Sequence, residues 1–287
     1  MRLESVGKRY GVHQPWVVRD VSLDVAAGRL IRLEGRNGSG KSTLLRVASG
    51  VTLPSTGRVT GRPHTGYVPE RFPGALPFPA RDYLLHMARV HGLRGGTGER
   101  RVDEWLDRLG AAGYADRPLR SLSKGMCQKV AITQALVSSP GLLVLDEAWT
   151  GLDQAARGAL DAAVTERVAD GGAVMFVDHE QARLAGRISE RWQLDGSGRV
   201  TVVAGGSGAP ARPDEDDDTV VIDLDGVEPE TLARIESLLG VLSCTAASPG
   251  SATVRVGAWG SDALLRQVLT WDGLHVAAVR AEKEGGR

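Results

Sequence analysis

Nine consecutive residues, Gly35, Arg36, Asn37, Gly38, Ser39, Gly40, Lys41, Ser42 and Thr43, have the types and spacing that hold a polyphosphate. The glycines let backbone N–H groups turn inward and line a concave anion nest. Lys41 adds a mobile full charge for β- and γ-phosphates, and the Ser42 hydroxyl can ligate Mg²⁺. A glycine-rich turn before a helix would have the same composition, so the flanking elements decide. Residues 29–34, Arg-Leu-Ile-Arg-Leu-Glu, alternate apolar and polar and read as a strand. Thr43 to Ala48 then reads as an apolar-faced helix, whose start adds partial positive charge. Strand, loop and helix together predict a nucleotide phosphate site.

Further residues could complete such a site. Leu142-Leu-Val-Leu145 is a continuous apolar run ending in Asp146 and Glu147, the pattern of a strand buried on both faces of a parallel sheet. Carboxylates at such a strand's end emerge where ligands of open α/β sheets sit, although a solvated acidic turn has the same look. Ser123 is placed to N-cap a helix running through Gln128, Val130, Ile132 and Ala135. A capped helix is usually only that, yet its start can coordinate a γ-phosphate. Ala173 to Val177 is another apolar run, followed by Asp178 and His179. A histidine after a strand is ordinarily a satisfied surface or core residue.

In this order the strings resemble the nucleotide-binding subunit of ATP-binding cassette (ABC) transporters, over about residues 1–203. The resemblance implies a P-loop α/β fold with a RecA-like core, an antiparallel β subdomain and a helical subdomain. It implies that ATP and Mg²⁺ bind at the seam of a homodimer or heterodimer. Asp146 would hold Mg²⁺, Glu147 would be the base that polarises the attacking water, and His179 would sense the γ-phosphate. Leu122, Ser123, Lys124, Gly125 and Met126 would be the signature that contacts a partner's nucleotide, with Lys124 and Met126 replacing the usual Gly and Gln. Gly151, Leu152 and Asp153 match the loop that links the two active sites, preceded by Ala148-Trp149-Thr150 where Pro-Thr-Ser is more usual. Tyr10 matches the aromatic that stacks on adenine, with His13 and Trp16 as alternatives.

Glu70, in Gly66-Tyr-Val-Pro-Glu70, stands where the family usually has a Gln that reaches Mg²⁺ and the attacking water. It keeps an oxygen ligand and adds charge beside Asp146 and Glu147, so tighter metal coordination or a raised carboxyl pKa is expected. Between residues 71 and 120, prolines 73, 77 and 79 break the chain before helical spacing over 82–90 and 102–109. In the family this stretch receives a helix of the membrane subunit. Arg71, Phe72, Tyr83 and Leu84 are candidates for that contact, or ordinary packing residues.

The chain has 287 residues and zero formal net charge, which fits two domains and argues against a nucleic-acid partner. Two cysteines are too few for a disulfide framework, and no apolar stretch approaches the ~20 residues that span a bilayer. The expected organisation is an ATPase domain over 1–203, a Gly/Pro and acidic linker over 204–218, and a small α+β domain over 219–287. Strands at 219–224, 241–246, 253–256 and 274–279, with a helix carrying Leu232, Ile235 and Leu239 and another over 262–270, give the βαββαβ ferredoxin-like order. The expectation is a cytoplasmic ATPase subunit, peripheral at the inner face of the cell membrane through a separate membrane-spanning subunit. Glu70, the Lys124-Gly-Met variant and the C-terminal extension point to an exporter of the ABC-2 type. The alternatives are a soluble ABC ATPase acting on DNA or ribosomes, and a nucleotide-sensing regulator that does not hydrolyse ATP.

Overall fold

Short runs of apolar residues, separated by longer segments with helical spacing, make a layered α/β structure. The computed structural model describes residues 1–204, 219–228, 231–232, 235, 241–248, 250–257, 261, 264–265, 268–269, 271 and 273–282. It divides into two compact units, Met1–Gly208 and Ala209–Arg287.

In the first unit the strands are β1 (Arg2–Lys8), β2 (Val18–Asp24), β3 (Leu30–Glu34), β4 (Thr56–Thr60), β5 (Thr65–Val68), β6 (Leu142–Asp146), β7 (Ala173–Val177), β8 (Glu190–Leu194) and β9 (Val200–Ala204). The helices are α1 (Lys41–Ser49), α2 (Ala80–Val90), α3 (Gly96–Arg108), α4 (Lys124–Leu136) and α5 (Gln154–Ala169). A six-stranded sheet has the order β5-β6-β7-β3-β8-β9, parallel except for the last pair. A three-stranded antiparallel sheet, β2-β1-β4, stands apart from it.

The central strands are buried on both faces, which is why they read as continuous apolar runs. On β6, Leu143 and Leu145 join one core with Phe176 and Leu160, while Leu142 and Val144 join a second with Leu44, Val47 and Trp192. A third core, with Leu84, Val102, Leu106 and Val130, holds α2, α3 and the first half of α4 together. Residues 29–34 depart from the alternation expected of them. Arg32 is only 4% exposed, because β3 lies inside the sheet and has no solvent face. Helix α3 starts six residues before the expected 102, through Gly96 and Gly98. Gly98 is buried against Ala88 and Leu93, so packing outweighs the low helix propensity of glycine.

The second unit contains β10 (Thr219–Asp225), β11 (Val241–Ser248), β12 (Ser251–Gly257) and β13 (His275–Glu282) in one antiparallel sheet of order β11-β12-β10-β13. That is the strand order of a ferredoxin-like unit. Thr231, Leu232 and Ile235, and Ser261, Leu264, Leu265 and Val268, are helical. Residues 205–218 of the expected linker, and Leu239, Asp262 and Thr270 of the expected helices, lie outside the described residues. Among the described residues no helix is long and apolar enough to cross a membrane.

Candidate functional site

Parallel strands deliver their carboxyl ends to one edge of the sheet, and loops leaving that edge gather residues distant in sequence. Strand β3 leads into Gly35, β5 into Glu70, β6 ends at Asp146 before Glu147, and β7 precedes His179. Each therefore arrives at the same rim.

The Gly35–Thr43 loop turns through left-handed glycines, Gly38 at φ 82° and Gly40 at φ 104°. Gly40 N-caps α1, and a Cβ there would lie 2.5 Å from the Val17 carbonyl oxygen, so no other residue fits without displacement. Arg36, Asn37 and Gly38 are exposed, and Ser39 is half-buried, its Oγ without a hydrogen-bond partner among the described residues. Lys41 Nζ donates to the carbonyls of Gly35 and Arg36 at 2.7 and 2.9 Å, reaching across the loop. Burial lowers its pKa, against the attraction of Glu147 and Asp146. A loop with an unpaired hydroxyl, inward-turned backbone and a lysine across its mouth fits a phosphate chain. Thr43 is buried, and its Oγ1 lies 3.1 Å from the hydroxyl of Tyr10. Tyr10 is exposed beside the loop, whereas His13 points to solvent and Trp16 stacks under Arg9.

Ser42 Oγ donates to Asp146 Oδ1 at 2.9 Å. Asp146 is fully buried, and burial raises its carboxyl pKa; the bonds from Ser42 and Tyr67 and the charge of Arg46 oppose the rise, while Glu70 adds to it. The raised pKa expected from Glu70 therefore falls on Asp146, with burial as its main cause. Tyr67 OH donates to Asp146 Oδ2 at 3.2 Å, Arg46 Nε donates to Tyr67 OH at 3.4 Å, and burial pushes the phenol up to about 12. Ser42 and Asp146 place oxygen donors of the kind hard divalent cations take side by side, and the half-buried Glu70 lies near enough to act on the Asp146 charge. Glu70 is also paired with Arg71 at 3.8 Å.

Glu147 adopts φ 53°, a left-handed conformation costly for a side chain that is not Gly, Asn or Asp. Its amide donates to the Val177 carbonyl at 3.1 Å, which fixes the turn. His179 Nε2 sits 2.9 Å from Glu147 Oε1, and the imidazole is otherwise largely exposed. Sequence position alone does not indicate this pairing.

At the other candidate surface, Ser123 caps α4, its Oγ accepting from Met126 N at 3.3 Å. Ser123 and Lys124 are exposed, while Leu122, Gly125 and Met126 are half-buried. A Cβ on Gly125 would lie 2.4 Å from the carbonyl oxygen of Gly151, so the two backbones touch. Leu152 is buried, and Asp153 caps α5 through the Ala156 amide while pairing with Lys129 Nζ at 2.6 Å. Ser123, Gly125, Gly151 and Asp153 thus form one edge, supported by buried Lys129.

Several residues support the site without a motif to mark them. Gln128 is buried and donates to the carbonyls of Pro69 and Ala148, joining the loops after β5 and β6. Trp149 packs edge-to-face on Phe176 and donates to Asp161 at 2.8 Å. Its place before Gly151 is therefore a core position. Leu84 is fully buried, and Phe72 and Tyr83 pack on one another, so of the four candidates for a membrane-subunit contact only Arg71 is exposed.

A model of the family described as ABC transporter matches residues 18–150. The chain is 40% identical over 169 residues to the zinc import ATP-binding protein ZnuC of Cereibacter sphaeroides, covering 57% of this chain and 67% of that protein. It is 33% identical over 195 residues to the Nod factor export ATP-binding protein I of Cupriavidus pinatubonensis, covering 62% and 58%. Among solved structures, an ATP-binding subunit of an ABC transporter superposes with TM-score 0.65 at 27% identity, covering 71% of this chain and 89% of that one. A dimeric ATP-binding cassette bound to ADP and phosphate superposes with TM-score 0.62 at 22% identity, covering 72% and 99%.

Proposed function

The chain belongs to the ABC transporter family as an ATP-binding, ATP-hydrolysing subunit, and from that premise we propose how its residues divide the work. The observation that carries the reading is the approach of His179 to Glu147 at the rim that also holds Lys41 and Asp146. Lys41 and the loop amides bind the phosphates, and Tyr10 lies against the base. Ser42, Asp146 and Glu70 would hold Mg²⁺, which would supply positive charge to the phosphate oxygens. Glu147 takes the proton of the attacking water, and His179 orients that water and the carboxylate. Two copies, or one copy and a paralogue, close so that each Ser123 faces the other's phosphate loop. Closure and reopening then move a separate membrane-spanning subunit, with this chain held at the inner face of the membrane through it.

Export is the proposed direction. Glu70, the Lys124-Gly-Met variant and the second compact unit support it, as does the relative named for Nod factor export. Import has its own support in the relative named for zinc import, which is 40% identical. Transport by membrane vesicles of both orientations, prepared with the co-purifying membrane subunit, separates the two.

The hydrolytic assignment is tested by Glu147→Gln. ATP affinity should hold, turnover should fall by about 10²–10⁴-fold, the scale of losing a catalytic base, and a closed dimer should accumulate on gel filtration. Wild-type turnover in this variant would remove Glu147 from its role.

A further inference from the structure

On β3, Leu30 and Arg32 share a face, and the neighbouring β7 presents Phe176 there. Position 32 is therefore an apolar position by its surroundings, yet it carries a guanidinium 5.8 Å from the Phe176 ring. Burying that charge is costly unless its donors are used. Its two terminal nitrogens are used on one short segment, while Nε is buried without a hydrogen-bond partner among the described residues. Nη1 donates to the Gln181 carbonyl at 2.6 Å, and Nη2 donates to the carbonyls of Asp178 and Glu180 at 3.1 and 3.2 Å. Glu34, 3.5 Å away, is its charge partner.

The three carbonyls flank His179 on both sides. From within the same segment Arg183 pairs with Glu180 and, at 3.6 Å, with Asp178, and it lies over Trp149. His179 itself is exposed and touches the active rim at Glu147. Its side chain has little packing of its own, so its direction is set by the main chain that carries it.

We propose that Arg32 is a positioning residue for ATP hydrolysis, gripping the main chain around His179 and so fixing the imidazole against Glu147. This rests on Glu147 and His179 being the hydrolytic pair described above. A guanidinium is suited to the task because its planar fork presents several donors in fixed directions, whereas an ammonium is a point charge on a flexible stem. The bonds run from the strand that feeds the phosphate loop to the segment bearing the histidine. Arg32 thereby ties nucleotide binding and water orientation into one rigid body.

The test uses the purified full-length chain with Arg32→Met, Arg32→Lys and Glu147→Gln. Steady-state ATPase assays are paired with hydrogen exchange of the nucleotide-free protein. Arg32→Met should lower kcat by about 10-fold or more while KM for ATP stays within about 2-fold, because the binding loop is intact. Exchange should rise at amides 178–183 and not elsewhere. Arg32→Lys should recover part of kcat. A folded Arg32→Met protein with wild-type kcat, or with wild-type exchange across that segment, overturns the proposal. If Arg32→Met does not fold, Arg32→Lys decides: lowered kcat with raised exchange supports the grip, and a wild-type value of either overturns it. Retained turnover in Glu147→Gln would instead show that the hydrolytic pair is misassigned, and the exchange measurement would still report on Arg32.

Discussion

At Asp146, burial acts against the charge that the proposed Mg²⁺ site requires. The folded protein raises this carboxyl's pKa above its unfolded value, chiefly by desolvation, so the group favours folding below the unfolded pKa and loses that contribution as pH rises through the folded one. At neutral pH the ionised carboxylate therefore destabilises the nucleotide-free protein. Asp146→Asn, which can still accept from Ser42 and Tyr67, should raise the melting temperature of the nucleotide-free protein and abolish the extra stabilisation given by Mg²⁺ with ATP. Thermal denaturation with and without ligand reads both, and the gain in the nucleotide-free state should grow from pH 4 toward neutrality. Asp146 and Glu147 stood out in the sequence only beside the phosphate loop, since an apolar run ending in two acids has by itself the look of a solvated acidic turn. Tyr67, Arg46 and Gln128 were not legible, since their roles depend on which loops the sheet brings together. Arg32 was hidden for a related reason: in a short strand a single arginine looks like ordinary alternation, and only the strand's place in the sheet makes it buried.

Between elements, the pair Lys129–Asp153 joins α4 to the start of α5. The hydrogen bond from Lys129, and after it the Ala156 amide, hold the Asp153 carboxyl below the usual aspartate range. A depressed carboxyl contributes stability above its unfolded pKa, about 3.9, and loses it as pH falls through the folded value. Asp153→Asn should therefore lower the melting temperature at pH 7 and flatten its fall below pH 5, as calorimetry across that range would record. Helix α4 was readable from its cap and apolar positions. The start of α3 was not, because glycines argue against a helix locally and only the packing of Gly98 on Ala88 overrides them. Trp149 looked anomalous in sequence and is simply core, joined to Phe176 and Asp161.

For the whole chain, strand order is the decisive property. Placing β7 between β6 and β3 seats the histidine loop beside both the acids and the phosphate loop, a juxtaposition that no local pattern contains. Every candidate site residue lies within the first compact unit. Residues 1–208 produced alone should therefore fold and bind ATP with the affinity of the full chain, measurable by titration with a fluorescent nucleotide; a large loss would assign the second unit a part in the site. The second unit's alternating strands were legible, but nothing in them indicates a task. The contact of Gly125 with Gly151 has a bearing on how such a chain diversifies. It is made by main chain alone, so the residues on either side of Gly125 are released from maintaining it. Lys124 and Met126 can then drift while the main-chain contact beneath them keeps its fit.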